Sequence, residues 1–260
     1  MRFVVTTSYN PNRELVEKAK KLAKEYGVKY VNRNHLTKYI KRSLIDFYYV
    51  IDKKGMLSIK WEDGEFFFHQ GIAKIRMENI KHGQKDYLIE AISPKESDIV
   101  YDATCGLASE ALLIANYAKK VVATEGSKHI YRVVKWGLLY YISGENWVNN
   151  AKKKIELVNE NYKSYIRRVE DNAFDIVYCD PMFENPIYES NSLNPLRSFA
   201  IYESLNTEDL EEMLRISRKK VVIKTLKKDS LYDKIKEYFD KEYLVRKNGV
   251  VYGVINKLEV

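Results

Sequence analysis

Cysteine is nearly missing from this 260-residue chain: Cys105 and Cys179 are the only two, with neither the C-x-x-C spacing of a zinc site nor the dense, even pattern of a secreted disulfide scaffold. A reducing cytoplasm is the expected home. No apolar run approaches the roughly 20 residues that cross a bilayer. The opening MRFVVTTSYN has neither a basic n-region nor a long apolar h-region, so export is not expected. Internal repeats and low-complexity linkers are absent too. With 45% hydrophobic residues the chain carries a full core, which excludes disorder. Glycine is scarce where it would decide a cofactor: the turn DATCGLA has one, Gly106, whereas seating a dinucleotide pyrophosphate calls for G-x-G-x-x-G. That argues against NAD.

What the chain has in excess is base and tyrosine. Lys and Arg number 44 against 36 Asp and Glu, a net charge of +8, and there are 21 tyrosines. Such a balance suits a polyanion that offers bases to stack on. Lysine- and tyrosine-rich composition also accompanies AT-rich or thermophilic proteomes, so bulk charge alone leaves RNA binding open.

The first 69 residues read as a small N-terminal α/β unit followed by a meander. RFVVTT is a β-branched strand. Asn10-Pro11 ends it and starts a helix with Pro11 at an early helical position, where the missing N–H costs little. Leu15, Ala19, Leu22, Ala23 and Tyr26 recur at helical spacing until Gly27, and VKYVNR resumes a strand. DFYYVID, MLSIKW and EFFFH, separated by the turns KKG and EDG, predict an antiparallel meander. One helical stretch is expected over 71–92, with Ile72, Ile75, Ile80, Leu88, Ile89 and Ala91 on its apolar face. Beyond Pro94, strands near 98–102, 120–125, 154–158, 174–179 and 219–225 alternate with helices, which builds a parallel sheet. Strands near 240–246 and 249–256 meet across Lys247-Asn248-Gly249 as an antiparallel C-terminal hairpin. The expected fold is therefore α/β: a Rossmann-like, seven-stranded, mostly parallel sheet over 70–260, preceded by the unit 1–69. This is the layout of class I methyltransferases.

In an open α/β sheet, ligands collect at the carboxyl ends of the strands, where strand order reverses. The apolar strand ending at Asp102 runs into Thr104, Gly106 and Ala108 before a helix, a cofactor loop in position and shape. Gly106 lets backbone approach the ligand, and the Asp102 carboxylate suits a cationic amine. Glu125, 23 residues on and followed by Gly126, stands where an acid accepts both ribose hydroxyls; the alternative is a solvent-facing glutamate capping the next helix. Asp180-Pro181-Met182-Phe183 has the shape of the (D/N)-P-P-(Y/F) sequence of enzymes that methylate planar amines, with Met182 for the second proline. The lone pair of such an amine is delocalised into its ring. Asp180 and the Pro181 carbonyl would accept its N–H groups and favour pyramidalisation, while Phe183 stacks on the ring. The alternative is an ordinary Asp-Pro turn. Asn161 either contacts a cofactor adenine or caps a helix. Lys224 either reaches a substrate phosphate or base oxygen, or snorkels off a sheet edge. His69 and the cysteines read as packing residues.

DATCGLASEALLIA, the acid-ended second strand, DPMF and KKVVIKTLK together resemble the RsmJ-type small-subunit rRNA (guanine-N2)-methyltransferases, over about residues 60–225. The resemblance implies S-adenosyl-L-methionine held by Asp102, Gly106 and Glu125, a base pocket of Asp180, Pro181, Met182 and Phe183, and an rRNA partner. By their place at the strand ends, Thr104, Ala108, Gly126, Asn161 and Asp180 are expected to complete the cofactor site and Lys224 the substrate site, with no metal and no membrane expected. The chain departs from that pattern with Ala108-Ser109 in place of Gly-Arg and Glu184 in place of a proline. A small-molecule or protein-amide acceptor, and a non-catalytic RNA-binding factor that kept the fold, stay open as alternatives.

Overall fold

A computed structural model describes residues 1–62, 64–183 and 198–257. In chain order the elements are β1 Phe3–Thr7, α1 Arg13–Glu25, α2 Arg33–Lys41, β2 Phe47–Ile51, β3 Leu57–Trp61, β4 Gly64–Phe67, α3 Gly71–Lys81 and α4 Tyr87–Ile92. Then follow β5 Ile99–Asp102, α5 Ser109–Tyr117, β6 Lys120–Thr124, α6 Lys128–Tyr140, α7 Asn146–Lys153, β7 Ile155–Val158, α8 Tyr162–Arg168 and β8 Phe174–Cys179. The described chain closes with α9 Thr207–Ile216, β9 Ser217–Leu226, α10 Ser230–Ile235, a 3₁₀ turn Lys236–Tyr238, β10 Lys241–Val245 and β11 Val250–Asn256.

Two sheets result. The larger runs β10-β11-β9-β8-β5-β6-β7, with β9, β8, β5, β6 and β7 parallel and the C-terminal pair antiparallel. After β5 the chain moves outward to β6 and β7 and then returns to β8 on the other side. The strand order therefore reverses between β5 and β8, which opens a crevice at their carboxyl ends. Central strands buried on both faces explain the near-continuous apolar runs IVYD, KVVAT and FDIVYC. The hairpin turns where expected, with Gly249 at φ +72 and its N–H on the Val245 carbonyl at 2.9 Å. The smaller sheet runs β1-β2-β3-β4, with β1 and β2 parallel and the meander antiparallel. One apolar core joins both sheets: Val5, Tyr49 and Ile59 belong to the same buried cluster as Val100, Ile130 and Val133.

The N-terminal expectations need three corrections. Pro11 lies before the helix, because Asn12 is its N-cap, accepting the Leu15 N–H at 2.8 Å. VKYVNR makes only a single bridge, Val5 to Tyr30, and then enters α2, capped by Asn32. Only Leu36 of α2 is buried, so the helix has almost no apolar periodicity to announce it. The stretch 71–92 is two helices, broken where Gly83 takes φ +80. Ala73 and Met77, not Ile75, face the core from α3, and Ile75 is exposed.

Candidate functional site

The crevice between β5 and β8 holds a cavity lined by Thr104, Gly106, Glu125, Asn161, Asp180 and Met182, among others. Its donor-side loop is tied down almost wholly by backbone. The Cys105 N–H donates to the Thr124 carbonyl at 2.9 Å and the Ala103 N–H to the Tyr178 carbonyl at 2.8 Å. Thr104 joins the two signature loops, its Oγ1 accepting the Asp180 N–H at 2.7 Å. Gly106 sits at φ +50 and Ala108 at φ +61. Ala108 thus adopts a left-handed conformation that costs an alanine roughly 1 kcal/mol and a glycine almost nothing. The loop has the backbone of a glycine-rich turn with one glycine fewer.

Glu125 does not face solvent. Its carboxylate accepts the Gly106 N–H at 3.1 Å and the Ser127 N–H at 2.7 Å while lining the cavity, and burial pushes its pKa up to about 7. The cap of α6 is Ser127. Asn161 is the helix cap of the second reading and also lines the cavity. Its Oδ1 caps α8 through the Lys163 N–H at 2.9 Å, and its amide reaches Glu203 across the cavity wall at 3.0 Å. A Cβ at Gly126 would come within 2.9 Å of the tip of the Ile201 side chain, so a larger residue there displaces that wall of the cavity.

Asp102 and Ala108 lie behind the cavity lining, both fully buried. Asp102 Oδ1 accepts the Thr104 N–H at 3.1 Å, but Oδ2 is buried without a partner among the described residues. Burial, with Glu110, Asp180 and Glu125 nearby, raises its pKa to about 8. Cys105 and Cys179 are buried beside this loop as thiols, as packing predicts.

The acceptor side rests on charge. Lys224 Nζ is 2.5 Å from Asp180 Oδ2 and 3.9 Å from Glu110 Oε1, with its ammonium 5.7 Å from the centre of the Phe183 ring. Burial alone would lower the lysine, but Asp180, Tyr252 and Glu110 outweigh it and push its pKa up. Burial likewise raises Asp180, with Lys224 pulling it back. Lys224 is therefore no snorkelling edge residue; it is the partner of Asp180. Behind it Arg76 clamps Asp86 through two bonds of 2.8 and 2.7 Å and reaches Glu110 at 3.2 Å. Arg76, Asp86 and Glu110 carry no signal in the sequence, because nothing in the linear pattern links α3, the cap of α4 and α5. Phe183 packs partly buried on the main core, and His69 lies in another groove. Glu184 lies outside the described residues.

The SAM_MT family model, described as "Putative SAM-dependent methyltransferase", matches residues 16–239. The chain belongs to this family. The methyltransferase is 31% identical over 261 residues to the uncharacterized protein YpiP of Bacillus subtilis, covering 97% of this chain and 98% of that one. It is 24% identical over 147 residues to ribosomal RNA small subunit methyltransferase J of Mannheimia succiniciproducens, covering 55% of this chain and 58% of that protein. Among solved structures, a SAM-dependent methyltransferase of Neisseria gonorrhoeae shares the fold with a TM-score of 0.62 at 16% identity, over 98% of this chain and 96% of that one.

The enzyme thus uses S-adenosyl-L-methionine on a class I methyltransferase fold. The residues present fit that donor. The crevice is open to solvent, and Thr104, Gly106, Glu125, Gly126 and Asn161 line it beside Asp180, which sets a ribose-accepting acid and a close-approach glycine on one wall. The unpartnered Asp102 Oδ2 and the raised acids Asp102 and Glu125 describe a pocket short of positive charge, which a sulfonium and an ammonium would supply. Among the described residues no His, Cys, Asp and Glu group is arranged to hold a metal, and no helix is long and apolar enough to cross a membrane.

Proposed function

We propose that the enzyme methylates the exocyclic N2 of a guanine in RNA, with small-subunit rRNA as substrate. The observation that carries this reading is the placement of Asp180-Pro181-Met182 on the donor cavity with Asp180 fixed by Lys224. Bound S-adenosylmethionine supplies an electrophilic methyl group. Glu125 would hold its ribose diol, with Thr104, Gly106, Gly126 and Asn161 shaping the walls around it; Asp102 and Ala108, buried behind that lining, would set the shape of the loop, and the unpartnered Asp102 oxygen would favour the amino group from there. At the acceptor, the free Asp180 oxygen and the Pro181 carbonyl take the two N–H groups of the amine and direct its lone pair toward the donor. Lys224 keeps Asp180 ionised and in one rotamer, Phe183 stacks on the base, and Met182 packs beside it. The proton leaves to solvent after transfer. The partial match to an rRNA methyltransferase and the net charge of +8 support RNA as the acceptor. The unit 1–69 would help grip it.

The test is gene deletion followed by mass-spectrometric mapping of N2-methylguanosine in small-subunit rRNA. One mark should vanish and return when purified enzyme acts on the undermodified subunits with labelled donor. Persistence of every mark, with unlabelled subunits, defeats the rRNA assignment.

A further inference from the structure

The four-stranded sheet has two unlike faces, and the difference assigns one of them a ligand. Strand register places Val5, Tyr49, Ile59 and Phe66 on one side, where all four are buried in the main core. Alternation puts Val4 and Thr6, Tyr48 and Val50, Ser58 and Lys60, and Glu65 and Phe67 on the other. Leu36 of α2 and Val31 just before it cover part of this outer face, packing with Val4 and Tyr48. Phe67 remains 49% exposed, and Tyr9, just past β1, is 56% exposed.

Because β4 runs in the same direction as β1 and β2, the last residues of all three strands reach one end of the sheet. A groove there is lined by Tyr9, Arg33, Lys54, Lys60, Phe67 and His69. The Arg33 guanidinium lies 5.2 Å from the Tyr9 ring and 5.1 Å from the Tyr48 ring, with its Nη1 unpartnered among the described residues. The Phe67 and His69 rings are 5.4 Å apart. Alongside, the stretch Arg33–Arg42 carries Arg33, Lys38, Lys41 and Arg42 and no acidic residue. Lys60 is paired with Glu65 at 2.9 Å, and Asp52 also lines the groove, so the positive surplus there comes from Arg33 and Lys54 together with the basic residues of α2 alongside.

We infer that this open face binds single-stranded RNA next to the methylation target. Exposed rings on a β-sheet stack bases without regard to sequence, and flanking arginine and lysine hold the phosphates. Tyr9 and Phe67 would each take a base, and Arg33, whose guanidinium lies near both the Tyr9 and Tyr48 rings, would take a phosphate. The inference rests on RNA being the substrate and adds where the RNA is gripped.

The experiment uses the full-length protein and a fluorescein-labelled single-stranded RNA of about 12 nucleotides, read by anisotropy over a salt series. Tyr9→Ala with Phe67→Ala should weaken RNA binding about tenfold to a hundredfold, and Phe67→Tyr, which keeps the ring, should restore most of the loss due to position 67. Arg33→Gln should make the salt dependence shallower by about one charge. S-adenosylmethionine affinity, measured calorimetrically, should stay at the parental value in every variant, which also controls for folding. Parental protein that binds the RNA, with all variants indistinguishable from it, overturns the assignment of this face while leaving the RNA reading intact. Parental protein that does not bind RNA, yet transfers methyl to a protein or small molecule, overturns both.

Discussion

The two halves of the active crevice are built by different means. On the donor side, Gly106, Glu125 and Ser127 are joined by backbone N–H groups donating to one carboxylate, all within two consecutive strand-loop-helix units. On the acceptor side, Asp180 is held by Lys224 from β9, with Glu110 of α5, Arg76 of α3 and Asp86 at the cap of α4 behind it. Backbone hydrogen bonds come with the fold and tolerate change in side chains elsewhere. An assembly of long charged side chains from distant elements survives only if every member stays. The half built around Glu125 is thus held by backbone and robust, and the half built around Asp180 is an assembly of side chains and brittle.

Substitution at the reacting centre separates the halves most sharply. Asp180→Ala should lower the methyl-transfer rate about 100-fold to 1000-fold, roughly 3–4 kcal/mol, since it removes a positioned acceptor. Donor affinity, read by calorimetry, should change little. A transfer rate equal to the parental one would place the chemistry elsewhere.

Brittleness itself is tested at Lys224, whose side chain is 16% exposed against 23% for Asp180. Lys224→Met strands a largely buried carboxylate and should cost about 2–4 kcal/mol in urea unfolding. Adding Asp180→Asn to that variant should recover part of the loss. If the single variant is as stable as the parent, the ion pair does not organise this half.

The donor half should respond to pH in a defined direction. Glu125 ionises near 4.5 when exposed and at about 7 here, mainly through burial. Between those values the folded state takes up the proton more readily than the unfolded one. The stabilising contribution, complete at low pH, is therefore lost as pH rises through about 7. Accepting both ribose hydroxyls needs the Glu125 carboxylate ionised, so donor affinity should strengthen with rising pH, by up to about tenfold per unit below the pKa. Asp102, at about 8, extends the rise. Glu125→Gln should flatten the lower part of that profile in calorimetric titrations, and an unchanged profile would remove Glu125 from donor binding.

The smallest effect comes from Ala108. Ala108→Gly relieves the left-handed strain but loosens the unfolded chain, leaving a net gain of roughly 0.5 kcal/mol, about 1–2 °C in thermal unfolding. A loss of stability would show that the methyl group, buried with no exposure, matters more than the dihedral.

The same contrast explains which parts of the molecule are legible in its sequence. Every strand of the large sheet, the reversal at β5 and β8 and the place of Gly106 and Glu125 at one crevice follow from local order: apolar runs of strand length, alternation with helices, and an acid at a strand end. The Arg76–Glu110–Lys224 assembly has no such local trace, because helix and strand ends meet only through tertiary packing. Lys224 is visible as a residue at a strand end, yet its partner is not. In the first 69 residues, α2 escapes because a helix with one buried side chain lacks the period that betrays helices, and beyond them the break at Gly83 is masked by apolar residues on both sides. The donor wall that includes Ala200, Ile201 and Glu203 is equally unreadable.

That wall begins at Phe199, whose ring stands 5.1 Å from Phe47, 5.5 Å from Trp61 and 5.7 Å from His129. Phe47 and Trp61 leave the ribosome early, but their partner ring is made only after most of the large sheet has been translated. Synthesis therefore completes this aromatic contact late: the rings of Phe47 and Trp61 gain their partner only once Phe199 has been made. A fragment cut at residue 70 to isolate the catalytic sheet would keep the Glu125 carboxylate and lose the anchor of the wall beside it.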